Sequence, residues 1–229
     1  MFLGHFAAGF AGKRWTPRVS LGWLILAPFL LDLLWPIYCL AGIERFRIQT
    51  GGAPFHNLIF ESYPWSHSLL MSVVYGILIA LLYRKLTGDA RGGLVLGVLV
   101  VSHWIFDWIT HDPDLPLWPG GPLTGLGLWR SIPGTVAVES LLLVAGVWLY
   151  FGVTRARDRI GSLGLWFFLA LLVVLYLMSI IGPPPPMGAE RLVSLSVLLG
   201  IVLLPLAAWI DRHRREPSAI SRQQSATEG

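Results

Sequence analysis

The chain has 229 residues, 55% of them hydrophobic and only 13% charged, and its mean hydropathy is +0.65. That balance excludes an ordinary soluble domain and describes an integral membrane protein. The net charge is +4, but Lys and Arg fall in short clusters between apolar runs, without the aromatic interleaving of a nucleic-acid surface, so the clusters read as topology signals and no nucleic-acid partner is expected.

The opening stretch, MFLGHFAAGFAGKRW, carries its charges after its apolar residues. This is the reverse of a secretory signal peptide, and the segment is expected to be retained. Its first ten residues are too short to span a bilayer and predict an interfacial or half-inserted helix carrying His5. Six apolar runs follow, near residues 19–43, 66–84, 92–110, 134–154, 162–182 and 191–210. Each is long enough to cross a hydrocarbon core of roughly 30 Å as a helix. Basic clusters sit on alternate connections: Lys13, Arg14 and Arg18; Arg84, Lys85 and Arg91; Arg155, Arg157 and Arg159; Arg212, Arg214 and Arg215. The positive-inside rule then places both termini in the cytoplasm and the bundle in the cytoplasmic (inner) membrane.

Span one contains Asp32 near its middle and Pro36 four residues later, which predicts a kink at the carboxylate because proline removes the helical hydrogen bond to the carbonyl of residue 32. Cys39, the single cysteine, lies in this run, so no intrachain disulfide forms and any metal must be held by nitrogen and oxygen. Residues 44–65 predict a mixed interfacial loop with a Gly-Gly-Ala-Pro turn, delivering Glu61 and His67 to the mouth of span two. Span three ends in SHWIFDWITHDPD, residues 102–114, where His103, Asp107 and His111 recur at i, i+4, i+8 and would share one helix face. Pro113 ends that helix. Residues 111–133, rich in Pro, Gly and Trp, predict an interface loop anchored by Trp118 and Trp129. Span four carries Glu139 in its first turns. Spans five and six hold no internal charge, are joined by the stiff Pro183–Pro186 connector, and read as scaffold. The prediction is therefore an all-α polytopic bundle over 1–210, with a metal-site half at 1–150 and scaffold helices at 162–210, followed by a disordered cytoplasmic tail over 211–229.

Ionisable groups inside hydrocarbon mark functional sites by default. Asp32, His67, His103 and Asp107 are the candidate metal ligands; His111 joins them by spacing and Glu139 by depth. The bland alternative for the span-three residues is a helix-end cluster bonded to loop carbonyls. His5 has two readings, a polar side chain at the headgroups or, if the first ten residues fold roughly 12 Å up into the bundle, a further ligand. His56 and His213 read as loop and tail residues, and Glu61 and Asp112 as either solvated or supporting groups. Mixed His and carboxylate ligation suits Zn²⁺, with Mn²⁺ or Fe²⁺ and one or two ions open. Such ions lower the pKa of bound water and clamp phosphoryl or carbonyl oxygens, so hydrolysis of a membrane lipid or lipid-linked substrate is the expected chemistry. Glu139 or Glu61 is then the candidate general base. A divalent-cation or proton transporter and a scaffold with a structural metal are the rivals.

GHFAAGF near the N-terminus, Asp32, the pair His67-Ser68 and SHWIFDW resemble the YdjM-type membrane-bound metal-dependent hydrolases over roughly residues 1–150. That family is distantly similar to zinc-dependent phospholipase C and to single-strand-specific zinc nucleases. The resemblance implies a metal role for His5, Asp32, His67, His103 and Asp107. The approach to His67 departs from it, reading Tyr63-Pro64-Trp65-Ser66 where an Arg-Gly-like pair is expected.

Overall fold

Four of the long helices start where a side chain replaces the missing backbone partner. Ser20 caps Trp23 N–H, Ser68 caps Met71 N–H, Asp89 caps Gly92 N–H and Ser131 caps Gly134 N–H. First-turn amides have no intrahelical acceptor, and a capping oxygen supplies one. The structure is a computed structural model and describes residues 1–51 and 54–215. Among the described residues six helical segments are long and apolar enough to cross a membrane: α2 (Leu21–Leu40), α4 (Leu69–Thr87), α5 (Ala90–Thr110), α6 (Ile132–Val153), Ile160–Ile181 and Glu190–Arg212. They match the six predicted spans within a few residues at each end, and the all-α bundle is as expected. The fifth begins with a π turn at Ile160–Gly164 and continues as α7 (Leu165–Ile181). The sixth is α8 (Glu190–Leu198), a 3₁₀ turn over Leu199–Val202, and α9 (Leu203–Arg212).

The first ten residues do not lie at the interface. They form α1 (Phe2–Gly12), which packs among α2, α5 and α6 with Leu3, Phe6 and Phe10 buried. The sequence explains this, because FLGHFAAGFAG has no polar face to offer headgroups, and a helix apolar all round is a buried one. Glycine makes the close seat possible. A Cβ on Gly146 of α6 would run into the backbone of Ala7, and one on Gly9 would lie 2.8 Å from the Leu24 carbonyl. Small residues at helix contacts drive association where lipid removes the hydrophobic force. α4 and α5 cross in the same way at Gly76 and Gly97, where a Cβ on either would lie 2.8 Å from the other's carbonyl oxygen.

Two other expectations change. Residues 44–65 hold a β-hairpin, β1 (Arg45–Ile48) against β2 (Leu58–Ser62), and then the short α3 (Pro64–His67). Phe46 and Ile48 alternate inward to join Trp35, Tyr63, Trp104 and Leu115 in a small core at this end of the bundle. Of the Gly-Gly-Ala-Pro turn, Gly52 and Ala53 lie outside the described residues. The tail does not begin at Asp211. Asp211 is buried in α9 and accepts from Lys13 Nζ at 2.5 Å, Leu21 N–H at 3.0 Å and Tyr150 O–H at 2.8 Å. Just beyond it, β6 (Arg214–Arg215) pairs with β5 (Arg155–Ala156). The remainder of the expected tail, 216–229, lies outside the described residues.

Candidate metal centre

α1 lowers its N-terminus into the bundle beside the middle of α2 and the last turns of α5, while α3 brings His67 in from the hairpin end. Five of the predicted residues meet there. His5 Nε2 lies 3.2 Å from Asp107 Oδ1 and 3.9 Å from Asp32 Oδ2. His67 Nε2 lies 3.5 Å from Asp32 Oδ1 and 3.8 Å from Asp107 Oδ2. His103 Nε2 lies 2.8 Å from Asp107 Oδ2 and 3.9 Å from Asp32 Oδ1. Among the described residues two triads, His5–His103–Asp107 and Asp32–His67–His103, each have their ligating atoms within 4.8 Å of one another, slightly wider than the roughly 4 Å that ligands about 2 Å from one cation can span. The imidazoles of His5 and His103 stack with centroids 3.9 Å apart, and the Met1 amino group touches Asp107 Oδ1.

The far nitrogens of two rings are held by hydrogen bonds that decide what the near ones offer. His103 Nδ1–H donates to the Pro28 carbonyl at 2.7 Å. Ser66 O–H donates to Glu44 Oε2 at 2.6 Å, which leaves Ser66 Oγ to accept from His67 Nδ1–H at 2.7 Å. Glu44 is itself buried and also accepts from the N–H groups of Trp65 and Ser66, each at 2.8 Å. With Nδ1 protonated, the neutral form of either ring presents an Nε2 lone pair to carboxylate oxygens. Burial holds the His67 imidazole below its ordinary pKa and so favours that neutral form. His103 Nε2 is buried and has no hydrogen-bond partner despite its closeness to Asp107. Lone pairs facing lone pairs in a dry site ask for a cation between them, a metal ion or a proton. The outward Nδ1–H bond is the support that metal-binding histidines characteristically have. The donor set therefore fits a divalent ion of the Zn²⁺ type.

The other predicted residues are not among the ligating triads. α5 ends at Thr110, and His111 is its C-cap in an extended conformation, φ −65° and ψ 149°, so the face carrying His103 and Asp107 does not continue to it. Pro113 stops the helix nearby, since proline disfavours helix at Asp112 before it and offers no N–H to the Ile109 carbonyl. His111 Nδ1 lies 3.1 Å from Asp114 and 3.3 Å from the Tyr63 hydroxyl, and its ring packs on Trp129. Glu139 is fully buried but belongs to α1: its Oε2 accepts from Leu3 N–H at 2.5 Å and Gly4 N–H at 3.4 Å, capping the first turn of that helix. Glu61 is exposed and pairs with Arg47 at 3.4 Å, away from the cluster. Asp112 ties Arg130 and His56 together in the loop, and His213 bonds Asp158. Trp129 turns inward against Phe55 and His111, whereas Trp118 is exposed as an anchor would be. Sequence reasoning missed Glu44, Ser66 and the Pro28 carbonyl. Only Ser66, adjacent to His67, left a local trace.

A cavity of about 740 Å³ opens on the cluster, with Asp32, His67, Asp107 and His111 on its polar wall and Leu171, Leu175, Val197 and Leu203 opposite. Spans five and six, read from sequence as scaffold, thus supply part of its apolar side, beside Phe2, Phe29, Leu58 and Phe60. Asp32, with 29% of its side chain exposed, is the most accessible carboxylate of the cluster. Comparison of the chain with protein-family models, with curated proteins and with solved structures finds no match, so the site's own chemistry carries the functional reading.

Proposed function

We propose that this chain is a membrane-bound, metal-dependent hydrolase acting on a phosphoester or similar bond of a lipidic substrate. The observation that carries the reading is the pair of Nδ1-anchored histidines, His67 and His103, whose Nε2 atoms face Asp32 and Asp107 beside His5 at the wall of a large cavity. His5, Asp32, His67, His103 and Asp107 would hold one or two divalent ions. When bound, such an ion polarises a phosphoryl or carbonyl oxygen and acidifies a water in contact with it. The chain's own part is to hold the imidazoles neutral and oriented, to keep the protein side of the site dry, and to receive a proton at Asp32, the carboxylate open to the cavity. Glu61 is too remote for that task and Glu139 is engaged with α1.

The test is purified full-length protein, analysed for metal content and assayed with zinc or manganese against phosphoesters, beside His103→Ala and Asp107→Ala. Metal and turnover in the wild type, both lost in the variants, support the proposal. Metal retained by the wild type without any turnover supports a structural ion instead, and metal-dependent flux into liposomes supports transport. Wild type without metal overturns the proposal.

A further inference from the structure

The cavity is far larger than a metal site needs, and most of its lining residues belong to neither triad of the cluster. Its apolar arm runs between α7 and the broken sixth span. Leu171, Leu175 and Ser179 line it from one face of α7 at i, i+4, i+8, and Ser196, Val197, Gly200 and Leu203 line it from the sixth span. The two serines do not make this arm polar. Ser179 Oγ donates to the Tyr176 carbonyl at 2.7 Å and Ser196 Oγ to the Val193 carbonyl at 2.8 Å, so both hydroxyls are spent on their own helices.

Two further observations concern the mouth. Leu175 and Leu199 line the cavity yet are 38% and 69% exposed on helices that are long and apolar enough to span, so the arm opens sideways onto the surface that faces hydrocarbon. The sixth span leaves α-helical geometry at this point, as the 3₁₀ turn Leu199–Val202, and such mid-helix stretches often mark functional positions. Gly200 sits in that turn, where a Cβ would come within 3.0 Å of the Phe29 ring on the cavity wall. The missing side chain lets the sixth span pack closely on Phe29 of α2, and any larger residue at this lining position would have to displace that ring or project into the cavity.

We propose that this arm binds the hydrocarbon chain of a membrane amphiphile, which enters sideways between α7 and the sixth span and leaves its anionic head at the His/Asp cluster. The chain site stands on the arm's own geometry; the placing of the head rests on the metal-centre reading above. An apolar tail loses nothing by leaving lipid for an apolar wall, whereas a charged head must find the single polar patch of the cavity. Gly200 and Leu175 are then the residues that set which chains are admitted.

The experiment uses full-length protein, loaded with zinc, in vesicles of phosphatidylglycerol and phosphatidylethanolamine, with dodecyl phosphate carrying a photoreactive diazirine at its chain end. Label is expected on α7 near Leu175 and on Leu199–Leu203, competed by unlabelled dodecyl phosphate and about tenfold less well by inorganic phosphate. Gly200→Phe and Leu175→Trp, which obstruct the arm from opposite walls, should each cut that labelling roughly tenfold. If Gly200→Phe fails to fold, as judged by its melting temperature, Leu175→Trp decides. Label spread evenly over all lipid-facing helices, or unchanged in folded variants, overturns the proposal. Zinc content of the same samples separates the two readings: a wild type that holds no zinc but labels on this arm, and loses the label in the variants, sinks the hydrolase and keeps the chain site.

Discussion

Glu139 is the residue whose role the structure changes most, from candidate general base to cap of the buried α1, and the two roles predict opposite phenotypes. Glu139→Ala removes the acceptor of Leu3 N–H, at 2.5 Å, and weakens the contact to Gly4 N–H, at 3.4 Å, in a site with no exposed surface. Leaving a buried N–H unpaired costs about 1–3 kcal/mol, and loss of the anion at a helix N-terminus adds about 0.3–1 kcal/mol. The longer contact adds little. Relief of burying a carboxylate whose Oε1 has no partner offsets part of this, so a net loss of about 1–3 kcal/mol is expected. Glu139→Gln keeps an acceptor and should cost about 1 kcal/mol or less. Thermal unfolding in detergent reads the stability, and amide exchange of residues 2–12 reads the seat of α1 directly. Faster exchange across α1 and lowered stability in the Ala variant, with turnover preserved in the Gln variant, is the expected pattern. Loss of turnover in Glu139→Gln with stability and α1 exchange unchanged would refute it and restore the catalytic assignment.

Ser66→Ala and Glu44→Gln should each weaken zinc binding about 10–100-fold, because the relay they form fixes His67 with its proton on Nδ1, while Ser66→Thr should restore most of it; competition with a chromophoric chelator measures the affinity. Lys13→Met strips Asp211 of its cation in a nearly closed site and should destabilise the bundle by about 3 kcal/mol, with the Lys13→Met/Asp211→Asn double variant recovering part of the loss in a thermal double-mutant cycle. Asp158 lies outside the spans, and its bonds from His213 and from Gly161 N–H hold its carboxyl below the usual carboxylate range. A depressed folded value means that the support is present above an unfolded pKa of about 3.9 and is lost as pH falls through the lower folded one. Exchange at the β5–β6 pairing, corrected for intrinsic rate, should therefore be flat at neutral pH and rise on acidification, and Asp158→Asn should abolish that dependence.

What the linear chain could determine was set by the solvent it must enter. A run of apolar residues near bilayer length has few options other than a spanning helix, because backbone amides in lipid have no partner except each other. Six spans, the loops between them and the short ranking of buried ionisable residues were all legible for that reason, down to Asp32, His67, His103 and Asp107. A local rule also located the stop before Pro113, although one residue of helix was enough to turn His111 off the shared face. The tertiary structure decided everything that depended on two segments meeting. That α1 is a core helix depends on Gly146, more than a hundred residues away, leaving room for Ala7, and that Glu139 caps it depends on α6 lying alongside. The hairpin folds Glu44 back onto Ser66, and the sixth span unwinds at Gly200 beside Phe29. None of these pairings has a period or a spacing along the chain, since each is a contact of shape and charge between elements that come together only once the bundle has formed.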